Sequence, residues 1–173
     1  MKKIKTLLIG ESPFDHDNYE NYDYKDFNIP CHFEKVAFIP KTRCKKTFDL
    51  KSIVSYKRIL GVINKIQIND DNFHSYHENI SNTIHKLASN GIYLVNKTEL
   101  ENYNNLKDHK EIDNHTKFVC FGEKAFECVK DRVRDNYIYL YPHPSHKNKS
   151  TFWNEYLLNT KFYSTSKDLN NLL

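Results

Sequence analysis

At 173 residues the chain lies in the range where one hydrophobic core forms, and no Pro/Gly/Ser-rich linker divides it, so a single domain over 1–173 is expected. A net charge of +4 is modest for this size and is by itself a weak pointer to a polyanionic partner. The longest apolar runs, such as Thr6–Ile9 and Ile92–Val95, are strand-sized and far short of the roughly 20 residues that cross a bilayer, which excludes a transmembrane helix.

Met1–Lys5 is basic and passes straight into an apolar run, with neither a long apolar region nor a small-residue cleavage site. A cytoplasmic location is therefore expected. Lys5–Ile9 reads as a parallel strand buried on both faces and stopped by Gly10. Asp15–Phe33 is long, polar and aromatic, with Tyr19, Tyr22, Tyr24 and Phe27 set among acids and asparagines, and shows no periodicity. Val36–Ile39, closed by Pro40, reads as a second strand. Lys41, Arg43, Lys45, Lys46, Lys51, Lys57 and Arg58 then gather in one stretch that could either follow a phosphate backbone or form a solvated surface.

Helical stripes are expected over Ser52–Ile68 and His77–Ser89, the second stopped by Asn90-Gly91. Ile92–Val95 is another buried-type strand, ending in Asn96, and Glu99–Lys110 reads as a polar helical insertion. Strand Phe118–Phe121 is followed by Gly122, which opens a helix through Val129. Strand Tyr137–Leu140 runs into Tyr141-Pro142-His143-Pro144-Ser145, and a last helix, Thr151–Leu158, holds the sole Trp, Trp153. Cys31, Cys44, Cys120 and Cys128 lack the CxxC spacing of a zinc ribbon or redox motif and read as reduced thiols.

Strands alternating with helices imply an α/β fold, with a mostly parallel sheet and helices on both faces. In such sheets ligands bind beyond the carboxyl ends of the strands. The residues found there are Gly10-Glu11-Ser12-Pro13-Phe14, Asn96-Lys97-Thr98, Gly122-Glu123 and His143-Pro144-Ser145-His146. Together they offer a carboxylate, an amide, an imidazole, a hydroxyl, an aromatic ring and a glycine that permits close approach, the groups of a small-molecule or base pocket. No Gly-x-Ser-x-Gly elbow, phosphate-binding Gly-rich loop or HExxH accompanies them.

Gly10-Glu11-Ser12-Pro13-Phe14 after Leu7-Leu8-Ile9, Gly91–Asn96, Val119–Gly122 and His143-Pro144-Ser145 resemble, in order and spacing, the motifs of the uracil-DNA glycosylase superfamily. That resemblance spans positions 7 to 145 and implies a three-layer α/β/α fold on a short, mostly parallel four-stranded sheet. It further implies a metal-free, cofactor-free hydrolase that cleaves the N-glycosidic bond of uracil or another deaminated base in DNA, single- or double-stranded. A monomer working in base excision repair is expected. On the same footing, His143 would donate to the base oxygen, Glu11 would position water, and Asn96 would read the base edge. Phe14 would shield the ring 5-position, Ser145 would hold a phosphate, and Gly10, Ser12 and Pro13 would shape the pocket. An aromatic platform is expected for the extruded base, with Phe27 and Phe33 as its candidates.

Three departures bear on catalysis. Ser12 occupies the place where efficient members carry a water-handling aspartate, and the four cysteines do not match the iron–sulfur branch that shares the Gly-Glu start. The segment after the late loop, His146-Lys147-Asn148-Lys149, is polar where an apolar wedge is usual. A catalytically silent relative that binds a nucleobase, nucleotide or nucleic acid through the same pocket is thus the alternative.

Overall fold

The apolar run after Lys5 shows no polar alternation because both of its faces are covered. In the computed structural model, which describes residues 3–11, 18–43, 49–103, 106, 109–133, 138–145 and 152–153, this run forms strand β1 (Thr6–Gly10). Leu7, Leu8 and Ile9 in it are wholly buried, each such burial contributing about 1.5–3 kcal/mol. The other strands are β2 (Tyr19–Asp23), β3 (Lys35–Thr42), β4 (Ile92–Asn96), β5 (Lys117–Phe121) and β6 (Ile138–Tyr141). Four of them make one wholly parallel sheet in the order β4-β1-β5-β6, with Leu8 opposite both Leu94 and Val119, and Cys120 opposite Leu140. With its helices the sheet forms an α/β fold consistent with three α/β/α layers.

Two expectations need correction. The strand around Val36–Ile39 does not join this sheet: β3 pairs antiparallel with β2 as a separate two-stranded unit and runs on through Pro40 to Thr42. Its partner lies inside the segment read as aperiodic. Tyr-Glu-Asn-Tyr-Asp has no apolar alternation and includes strand-poor Asn and Asp; tertiary contacts hold it instead, notably Asn21 Nδ2 donating to the Val36 carbonyl at 2.6 Å.

This hairpin covers the outer edge of β4. The Tyr24 hydroxyl donates to the Leu94 carbonyl (3.1 Å) and accepts from the Leu94 amide (2.7 Å), while the Glu99 carboxylate accepts from the Glu34 and Lys35 amides. An otherwise open sheet edge is thereby closed to other chains.

The helices are α1 (Val54–Asn64), α2 (Phe73–Tyr76), α3 (Ile80–Ser89), α4 (Lys97–Glu101) and α5 (Glu123–Val129). The helix expected over Ser52–Ile68 stops at Asn64 because Lys65 takes a left-handed conformation, its amide reaching the Val62 carbonyl and that of Ile66 reaching Gly61. The one expected from His77 starts at Ile80, where Asn79 caps it by accepting from the Asn82 amide at 2.7 Å. It ends at Asn90-Gly91 as expected. Among its described residues, the Glu99–Lys110 insertion is α-helical where α4 (Lys97–Glu101) overlaps it, and 104, 105, 107 and 108 lie outside the described residues. Of the last expected helix only Phe152 and Trp153 are described, and both are helical.

Burial lowers the pKa of His77, His109 and His143 below the usual 6.5. The unfolded chain then binds more protons than the native one below about pH 6.5, so stability falls with falling pH in that window. The salt-bridged Asp23, Asp26 and Asp113, whose pKa values are lowered, lose their contribution only below about pH 4. Thermal melting between about pH 8 and pH 5 should show a Tm that is level above pH 7 and declines below about 6.5. A flat profile would contradict the buried, neutral state of these imidazoles.

Candidate active site at the carboxyl ends of the strands

The chain leaves β1 for β4 on one side and later crosses back to β5 on the other. Such a reversal opens a crevice between the carboxyl ends of β1 and β5. Glu11 follows β1 directly, Gly122 follows β5, and His143 stands two residues beyond β6. Asn96 ends β4 and lies directly opposite Gly10.

Gly122 is the point on which the acid and the imidazole converge. It has φ of 97°, and a Cβ there would lie 2.8 Å from Glu11 Oε1 and 3.2 Å from His143 Cδ2. Only glycine satisfies both conditions. Gly122→Ala is therefore expected to cost more than about 1 kcal/mol of stability and to push Glu11 and His143 apart. Melting and activity measured together check this, and an alanine variant unchanged in both would contradict the geometry.

The protonation of His143 follows from its surroundings. Burial lowers its pKa, outweighing the opposing pull of Glu11, and Lys124 lowers it further. The imidazole is thus neutral at pH 7. Its Nδ1 accepts from the Ser145 amide at 3.2 Å, which places the single proton on Nε2 and makes that atom a donor. Ser145 is held in turn: the Arg58 guanidinium donates to its carbonyl and lies 4.8 Å from the centre of the Phe152 ring. Arg58 is only 4% exposed, and no carboxylate among the described residues pairs with it. Lys124 Nζ stands 3.8 Å from Glu11 Oε2.

Asn96 is 1% exposed, and neither its Oδ1 nor its Nδ2 has a hydrogen-bond partner among the described residues. It sits at the N-cap of α4 yet caps nothing with its side chain. An ordinary turn or capping asparagine would be satisfied, and each unmet buried polar group costs about 1–3 kcal/mol.

Of the two expected platform rings, Phe27 packs on Tyr22 and Phe33 stacks on His109; they are 8% and 3% exposed, against 7% for Phe38. A ring that sequence reasoning passed over is better placed. Between Asp23 opposite Lys35 and Asn21 opposite Pro40, β3 carries extra residues in a bulge, and within it Phe38 adopts a left-handed φ of 66°. Such a conformation costs a bulky residue about 1–3 kcal/mol and marks functional sites. The bulge turns the ring toward the crevice: a Cβ on Gly10 would meet Phe38 Cε1 and Cζ at 3.0 Å and Asn96 Oδ1 at 3.6 Å. Phe121 meets the same ring edge to face at 5.5 Å. A side chain at Gly10 would therefore crowd Phe38.

Ser12, Pro13 and Phe14 lie outside the described residues, as do Cys44, Lys45 and Lys46. Most described cations of the basic stretch are neutralised or buried, Lys51 excepted. Lys41 pairs with Asp26, Arg43 with Glu20 and Lys57 with Asp70, and Arg58 is buried. Burial raises the thiol pKa of Cys31 to about 12 and also lifts Cys120 and Cys128, so all three stay protonated. Among the described residues no group of three or more His, Cys, Asp or Glu side chains could hold a metal ion, and no helix is long and apolar enough to cross a membrane. Compared with models of protein families, with curated proteins and with solved structures, the chain matches none.

Proposed function

We propose that this protein is a DNA N-glycosylase of the uracil-DNA glycosylase type, removing uracil or another deaminated base. The observation that carries this reading is the buried Asn96 amide, without a partner among the described residues, at the same end of the sheet as a neutral imidazole donor and a carboxylate. Uracil and hypoxanthine both present a carbonyl beside a ring N–H. Asn96 Nδ2 can donate to the first while Oδ1 accepts from the second, whereas cytosine offers the reversed pattern. The Phe38 ring, held against Gly10 and Phe121, would flank the extruded base.

In the reaction the bond between C1′ and the base nitrogen breaks, the electron pair leaving with the base and positive charge growing on the sugar. His143 Nε2–H donates to the base carbonyl as negative charge develops there, a neutral donor against a forming anion. Glu11 stabilises the sugar cation and holds the water whose oxygen joins C1′. One water proton passes to the carboxylate and the other stays as the hydroxyl now on C1′, while the base leaves as an anion holding the electron pair of the broken bond until it is protonated. Arg58, through Ser145, fixes the loop that orients the imidazole.

The test is strand cleavage by alkali after incubation with single- and double-stranded oligonucleotides carrying uracil, hypoxanthine or neither. Breakage confined to the deaminated base supports the enzyme. No breakage on any of them, with the protein folded and base-containing DNA still bound, overturns the enzyme and leaves the silent binding relative.

A further inference from the structure

A cleft of about 800 Å3 opens at the amino-terminal end of the sheet, the opposite end from Glu11 and His143. That volume falls in the range of small-ligand sites, about 300–1,000 Å3. Its floor is the start of β1 and β4, and α1 and α3 supply apolar walls through residues such as Ile63 and Leu87. Its charge is one-sided. Lys5, Lys86 and Lys117 reach it from β-strand, helix and loop positions that are far apart in sequence, and none of the three makes an ion pair in the described structure. Asp113 is the single carboxylate among the described lining residues and is already engaged by Lys3 at 3.1 Å.

Two details specify the chemistry. Lys117 is partly buried, and burial alone lowers its pKa, so its ammonium lacks an anion that would offset the lost hydration. Several ammonium groups around one cavity suit a multiply charged group, since a single carboxylate would satisfy only one of them. Tyr76, one of the large side chains left exposed on the surface, stands on the same cleft and offers a ring face. A ligand that matches an aromatic wall, apolar sides and a polycationic rim has a ring at one end and phosphates at the other.

We propose that this cleft is a second binding site, separate from the candidate active site, for a nucleoside polyphosphate. The site stands whether or not the crevice at the other end cleaves a glycosidic bond.

Calorimetric titration of the full chain with ATP, with inorganic tripolyphosphate and with adenosine tests it, at about 50 and 200 mM salt. The expected result is ATP binding at least fivefold tighter than either fragment and weakening at the higher salt. Lys86→Glu and Lys117→Met, each confirmed folded by circular dichroism, should lower ATP affinity tenfold or more, while His143→Ala leaves it unchanged. Absence of ATP binding at 1 mM overturns the proposal, as does binding indifferent to both lysine substitutions or abolished by His143→Ala. Tripolyphosphate binding as tightly as ATP overturns the role given to the ring.

Discussion

Replacing His143 with alanine is expected to slow base release by about 100- to 1,000-fold, the usual effect of removing one donor aimed at developing negative charge, while leaving the protein folded. The donor role depends on a neutral ring, because Nδ1 is already occupied as an acceptor from Ser145. Activity should therefore hold steady at and above neutral pH. It should fall on acidification only once the ring titrates, below the usual 6.5 because burial lowers its pKa. His143→Gln separates donation from charge: its amide can still donate, so a partial recovery relative to alanine is expected. A histidine variant as active as the native chain would remove this residue from the chemistry. An activity that rises on acidification would instead make the imidazolium the working form. Single-turnover base release across a pH series reads both results.

The strands of the main sheet were legible because their apolar runs are uninterrupted and each ends at a residue that breaks the run. Leu7–Ile9 stops at Gly10 and Phe118–Phe121 at Gly122, and once the alternation of strands and helices is granted, the residues after each strand share one end of the sheet. Glu11 and His143 meet at Gly122 for that reason, and Asn96 faces Gly10 across β4 and β1. The hairpin was not legible. Its first strand has no periodic pattern, and its attachment to the β4 edge depends on the Tyr24 hydroxyl and the Glu99 carboxylate, long-range contacts without a local signature.

Phe38 was hidden for a related reason. As one apolar residue in Val36–Ile39 it looks like core, and only the bulged register with its left-handed backbone turns it toward the crevice. The basic stretch misled in the other direction. Lys41, Arg43 and Lys57 are close in sequence, but the acids that neutralise them come from β2, from the turn after it and from the loop after α1. Charge counted along the chain is therefore a poor guide to charge on the surface here. Arg58 belongs to the same stretch yet serves the opposite end of the chain, holding the Ser145 carbonyl.

Replacing Asn96 with leucine, a residue of similar size, should make the protein more stable and less able to recognise a base. Two buried polar atoms have no partner among the described residues, and substituting an apolar group removes that penalty, about 1–3 kcal/mol. For a domain of this size each kcal/mol raises Tm by about 2–4 °C. The same interactions are those a carbonyl and ring N–H would satisfy, so affinity for the extruded base should drop by about 5- to 150-fold. A structural asparagine behaves otherwise: its loss lowers stability, and any loss of function follows from unfolding. Asn96→Asp adds a discriminating arm. An unpaired carboxylate buried where the amide stood is destabilising, and once protonated it offers a hydroxyl donor beside an acceptor oxygen, so recognition should return as pH falls. A leucine variant that melts lower than the native chain would assign Asn96 to the fold. A higher Tm combined with lost base recognition would mean that the native chain tolerates an unsatisfied amide because the ligand completes it.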